Sequence, residues 1–185
     1  MQPRDNSFVP LTNRYEGLTV YKVATCIYAV TYYFAQTYLP KGDRTVDQMI
    51  QAARSGKQNI AEGMVDGDTS KEMQLKLLNT ARGSMHELKV DYEDYLLTRG
   101  LEHWNLEDER SKQTRQYCKT HSDPKEYLEA VKERSDETTA NIALTLIHQY
   151  MPMIEGLIER EKRQFVENGG IKEELSAARR KHRGY

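Results

Sequence analysis

Cysteine, proline and tryptophan are scarce in this 185-residue chain, with two, five and one respectively. Cys26 and Cys118 lie far apart and show no Cys-x-x-Cys spacing, which excludes a zinc finger and a disulfide scaffold. They read as two free thiols of a reducing compartment. Few prolines, and glycines that sit between periodic stretches, leave room for long helices. A uniform excess of positive charge is also missing. Lys and Arg total 27 against 28 Asp and Glu, a formal net charge of -1, so the chain is not a uniformly basic nucleic-acid binder, although a local basic patch remains compatible. The opening residues, MQPRDNSFVPLTNRY, hold no apolar signal core, and the expected location is cytoplasmic. The one long apolar run, Leu18 to Leu39, includes Lys22 and Gln36 and is too polar to span a bilayer. No membrane partner is expected.

Chemical motifs are equally sparse. A di-iron bundle needs Glu-x-x-His on two helices, and the chain contains no such tetrad. His86, His103, His121, His148 and His182 are scattered. Asp91, Glu93 and Asp94 fall within four helical residues and read as a solvated acidic face. There is no phosphate-binding loop, dinucleotide fingerprint or nucleophile elbow. The chain is therefore read as non-enzymatic, with no metal and no cofactor.

What is present is helical periodicity. Residues 1–15 read as an arm. One face of a first helix, 17–39, carries Val20, Val23, Ala24, Ile27, Thr31, Phe34 and Tyr38. Pro40 and Gly42 break it. A second helix fits 44–62, followed by a turn over 63–68. Thr69-Ser70-Lys71-Glu72 reads as a capping box that opens a third helix over 69–99, with Gly100 as its stop. A polar insertion over 101–133 should hold a short helix near 105–117, a break at Ser122-Asp123-Pro124 and a restart. The last long helix spans 136–166, with Pro152 expected to kink it. The economical solution is an all-α, antiparallel up-and-down four-helix bundle over 16–168. The insertion and a short basic helical tail, 169–185, are added to it.

Two faces exceed what a four-helix core needs. Helix one carries Tyr21, Tyr28 and Tyr32 opposite its apolar stripe. The last helix has one stripe with Ile142, Leu146 and Tyr150 and another with Ile147, Met151 and Ile154. Aromatics are enriched at interfaces, so Tyr21, Tyr28, Tyr32, Ile147, Met151 and Ile154 are assigned to a homo-oligomer interface. The alternative is that 101–133 folds back over both faces. Gly56 and Gly83, inside helices, read as points of close helix contact. Asn59 and Glu62 read as satisfying donors at a helix end. From Ile171 onward five basic residues face two acidic ones, a net of +3. Arg179, Arg180, Lys181 and Arg183 stand in its acid-free end. That asymmetry points to nucleic acid or an acidic partner.

The stretch from Gln48 to Gly63, QMIQAARSGKQNIAEG, resembles the signature of the bacterial four-helix bundle proteins encoded in 23S rRNA intervening sequences. Leu18-Thr19-Val20-Tyr21, Thr69-Ser70-Lys71-Glu72 and Ala81-Arg82-Gly83-Ser84-Met85-His86-Glu87-Leu88 agree in order with its other motifs. The FVENGGI stretch and the basic end resemble the variant with a C-terminal helical suffix. The resemblance implies an up-and-down bundle that assembles as a homopentamer. One branch of that family is the accessory variability determinant of diversity-generating retroelements, which binds a reverse transcriptase and template RNA through basic surface. It implies RNA or DNA and a reverse transcriptase as partners, with Arg54 and Lys57 of the signature helix joining the tail cations. The expected function is a non-catalytic oligomeric adaptor. The other reading is a structural homo-oligomer that presents its tail to a protein partner.

Overall fold

A computed structural model describes residues 15–67 and 69–169, and in the tail Ser176, Arg179, Arg180, His182 and Arg183. Among the described residues the fold is all helical. After a 3-10 turn at Tyr15–Gly17 come α1 (Thr19–Tyr38), α2 (Arg44–Asp66), α3 (Lys71–Thr98), α4 (Glu109–Thr120), α5 (Pro124–Val131) and α6 (Asp136–Asn168). The expected arm lies almost wholly outside the described residues.

Local chemistry explains most boundaries. Pro40 holds the residue before it extended, and Leu39 (φ -92, ψ 146) ends α1. The Asp43 carboxylate caps α2 by accepting from the Thr45 N–H at 2.9 Å. Asp108, Asp123 and Ser135 do the same for α4, α5 and α6, each satisfying a donor that has no intrahelical partner. At the end of α3, Gly100 adopts φ 64. The Leu101 N–H then returns to the Leu96 carbonyl at 2.9 Å and the Gly100 N–H to Leu97 at 3.2 Å, a Schellman closure.

Two boundaries differ from expectation. The cap of α3 is Ser70, whose hydroxyl accepts from the Met73 N–H at 3.2 Å. Thr69 instead donates its hydroxyl to the Asp66 carbonyl at 3.0 Å, so the capping box expected from Thr69 to Glu72 does not form. The turn expected over 63–68 is largely helix, because α2 runs on to Asp66. Gly63 does not break it: the residue is buried against α3, where a Cβ would meet the Gln74 carbonyl oxygen and Leu77 at 3.3 Å. The insertion shifts as well, to 109–120 and 124–131, each start set by an aspartate cap. α6 continues through Pro152.

The four long helices surround one core. α1 packs on α2 and α6, and α3 packs on the same two helices. Phe34 of α1 meets Tyr92 and Tyr95 of α3, with ring centroids at 5.0 and 4.8 Å. The fully buried Tyr92 hydroxyl donates to Thr31 at 3.0 Å, and Tyr95 donates to the Asp136 carboxylate at 2.8 Å. These bonds tie α1, α3 and α6 together and satisfy the Tyr92 and Tyr95 hydroxyls. At the other end of α6 the buried Glu161 carboxylate sits 3.2 Å from Lys71 Nζ and 2.9 Å from Arg160.

The inserted helices cover the surplus apolar surface. α5 lies on α1, and α4 lies on α6. Tyr33 and Tyr38 of α1 donate to the carbonyls of Lys132 and Arg134 at 3.1 and 2.7 Å. Ile147 and Ile154 are 0% exposed within one chain, as members of the single core cluster. Their assignment to an interface between subunits is corrected: the doubled stripe of α6 serves intrachain packing. Met151 is partly buried against the same core.

Candidate nucleic-acid interface

Beneath the candidate surface lies the α2–α3 seam. Ser55 and Ser84 hydroxyls bond across it at 2.8 Å. Asn59 donates to the Ser55 carbonyl at 2.9 Å and to its hydroxyl at 3.0 Å. Gly56 leaves room for Met85, whose side-chain atoms would lie 2.6 to 3.0 Å from a Cβ. The Asn59 role differs from the expected one, because the helix end has moved to Asp66. Gly56 is a close contact as expected. Gly83 is not: nothing lies within 4 Å of where its Cβ would stand.

This seam fixes the rotation of α2 and so decides what faces outward. Arg54 is exposed, and Lys57, one turn on, is half-buried. The spacing i, i+3 puts them on one face. Lys57 Nζ lies 4.6 Å from the centroid of the Tyr28 ring on α1, within cation–π range. Tyr28 is itself 6.3 Å from Tyr32, and Tyr32 is 50% exposed. Tyr21, further along α1, is half-buried with its ring edge-on to Tyr15 at 4.8 Å; burial and the neighbouring Tyr15 and Glu16 push its hydroxyl above the ordinary range. The sequence reading had assigned the tyrosines and the cations to different roles, and α1 and α2 bring Tyr28, Tyr32, Arg54 and Lys57 to one surface. Neither Arg54 nor Lys57 forms an ion pair among the described residues.

Arg179, Arg180 and Arg183 are helical and exposed; Lys181 lies outside the described residues.

Other polar groups are local. Glu93 is held by Lys89 at 2.7 Å. The Asp91 carboxyl is pushed up by burial and by the charges of Asp94 and Glu87. Burial raises both thiols, Cys26 to about 12 and Cys118 in the same direction, which keeps them protonated and weakly nucleophilic. Among the described residues no three His, Cys, Asp or Glu side chains form a metal-sized cluster, and no helix is long and apolar enough to cross a membrane.

The insertion holds a polar and aromatic arrangement that the sequence reading passed over as a charged stretch. Trp104 is buried, and the Arg110 guanidinium lies 5.0 Å from its ring centroid. The available signal was a lone tryptophan among charges. Compared with models of known families, with curated proteins and with solved structures, the chain finds no match.

Proposed function

We propose that the protein is a non-catalytic helical adaptor that binds nucleic acid, RNA in the first place, through the α1–α2 face and the basic tail. The observation that carries this reading is Lys57 over Tyr28, with Arg54 and the half-exposed Tyr32 beside them. Cations interleaved with open aromatic faces suit single-stranded RNA, whose bases stack on rings while its phosphates meet the charges. Arg179, Arg180 and Arg183 add a separate set of exposed cations.

The same reading takes the four long helices as an antiparallel up-and-down bundle of the 23S rRNA intervening-sequence family, on the strength of the motif resemblance. A homopentamer would repeat each basic segment around a ring and raise the effective concentration for every further contact. A reverse transcriptase is the protein partner that the resemblance suggests, and the cytoplasm the compartment.

Fluorescence anisotropy with a labelled, structured RNA bearing single-stranded loops tests this. Affinity should fall steeply with salt, as each neutralised phosphate releases counterions. Tyr32→Ala should weaken binding by about 1–3 kcal/mol if one base stacks there. Arg54→Gln with Lys57→Gln should flatten the salt slope by about 2. A chain ending at Gly170 should lose affinity across all sequences. No binding by the intact protein at low salt would leave the second reading, a structural homo-oligomer that presents its tail to a protein partner. Light scattering with and without RNA separates the two.

A further inference from the structure

A cleft of about 400 Å³ opens between α4, α5 and the start of α6, bordered by Trp104, Arg110, Gln113, Tyr117, Tyr127 and Arg134. Its volume falls in the range of small-molecule sites, which combine apolar and aromatic walls with a few placed polar groups. No aspartate or glutamate is among the residues that line it. We propose that this cleft binds a planar aromatic anion, a ring carrying a carboxylate or a phosphate.

The aromatic walls are held rather than loose. Tyr127 is 1% exposed and donates its hydroxyl to the His121 carbonyl at 3.1 Å. The Tyr117 ring stands edge-on to it at 5.5 Å and is backed by His121, stacked at 3.8 Å. Trp104 is fixed through its backbone, whose N–H donates to the buried Asn141 side chain at 2.8 Å. A flat ligand therefore meets the partly exposed Tyr117 ring, held against buried Tyr127 and losing little further freedom on binding.

The polar groups select the charge. Arg110 is clamped by Asp108 and by Glu102 at 2.9 Å, so it serves mainly as a flat lid above Trp104. Arg134 is different: its guanidinium makes no ion pair or hydrogen bond among the described residues, and only its backbone is engaged, the N–H by the Val131 carbonyl at 3.1 Å and the carbonyl by Tyr38. It is the cation available to an incoming anion. The Trp104 indole N–H is buried and has no hydrogen-bond partner among the described residues. A buried donor left unpaired costs about 1–3 kcal/mol, so a ligand oxygen that reaches it is favoured.

The chain's single tryptophan borders this cleft, so its fluorescence reports occupancy. Benzoate and adenosine monophosphate are the probes, with benzyl alcohol and adenosine as uncharged counterparts. Each anion is titrated into the intact protein. Saturable change by at least one of them, with a Kd below about 1 mM, is expected. Its uncharged counterpart should bind about tenfold more weakly or not at all, a difference of about 1.4 kcal/mol. Stronger binding of adenosine monophosphate assigns the phosphate, and stronger binding of benzoate the carboxylate. Arg134→Gln should lose about tenfold in affinity with its melting temperature unchanged, because Arg134 holds no structural partner through its side chain. Arg99→Gln, a cation elsewhere on the surface, should bind as wild type does. The proposal fails if neither anion gives a saturable change, if charged and uncharged probes bind alike, or if Arg134→Gln binds like the unmodified chain.

Discussion

The α2–α3 seam and the α4–α5 flank meet the same core in different ways. At the seam, backbones approach closely: Gly56 and Gly63 leave out side chains, and Ser55, Ser84 and Asn59 fill the gap with short hydrogen bonds. On the flank, short helices are held by single polar anchors. Asn141 fastens Glu102 and Trp104, Tyr33 and Tyr38 reach the turn after α5, and Gln149 donates to the Arg115 carbonyl at 3.0 Å. The flank opens a cleft beside its helices. Close packing makes a seam rigid and intolerant of volume change. A flank tethered by a few bonds has less apolar burial per residue to resist local opening. A stable platform and an adaptable binding edge can thus share one chain.

The largest effect should come from hollowing the seam. Leu78 is 0% exposed and lies against Gly63, 3.5 Å from the position of a Cβ there. Leu78→Ala removes three carbons, a methine and two methyls, from a closely packed seam and should cost about 2–5 kcal/mol. Urea unfolding with an unchanged slope measures it. A loss well under that range would mean that the seam collapses as readily as the flank, and the contrast would break.

Next in size is the release of the flank. Asn141 accepts from the Trp104 N–H at 2.8 Å and donates to the carbonyls of Glu102 and Glu137 at 2.8 and 2.9 Å. Asn141→Ala leaves the buried Trp104 N–H without its acceptor, at a cost of about 1–3 kcal/mol. The tryptophan emission should shift to the red as the ring meets water, while far-ultraviolet circular dichroism keeps its helical signal. An unshifted emission would mean that the flank is held by its apolar contacts alone.

The two regions were not equally legible in the sequence. Helical stripes and stop signals located α1, α3 and α6 within a few residues, because their periodicity is carried by many side chains at once. Gly100 was readable as a stop because a positive φ favours glycine. Gly63 was misread as the same signal: a glycine that permits helix–helix contact looks, in one dimension, like one that ends a helix. The flank was readable only in outline. Its boundaries depend on single aspartate caps in a stretch rich in charged residues. The second stripe of α6 looked like surplus for the same reason. Whether Ile147 and Ile154 are buried between subunits or within one chain is a question of three-dimensional cover, and periodicity carries no information about it. On the candidate interface, Arg54 and Lys57 come from the motif resemblance, and Tyr28 and Tyr32 from the aromatic stripe of helix one. Their meeting depends on how α1 and α2 are rotated against each other, which the buried Ser55–Ser84–Asn59 contacts determine.

The smallest effect separates two glycines that both lie inside helices of the structure. Gly63 and Gly83 both lie inside helices, where glycine costs about 1 kcal/mol relative to alanine. At Gly83 a methyl group would meet nothing within 4 Å, so Gly83→Ala should raise stability by about 1 kcal/mol. At Gly63 the same methyl would stand 3.3 Å from a backbone carbonyl oxygen of α3, which cannot rotate away, so the propensity gain should be cancelled or reversed. Thermal unfolding of both variants beside the parent gives the comparison directly. If the two alanines stabilise equally, α3 is free to move off α2 and the seam is no tighter than the flank. If Gly83→Ala stabilises the isolated chain and yet weakens RNA binding or self-association, the open space at Gly83 is where another molecule approaches the helix backbone.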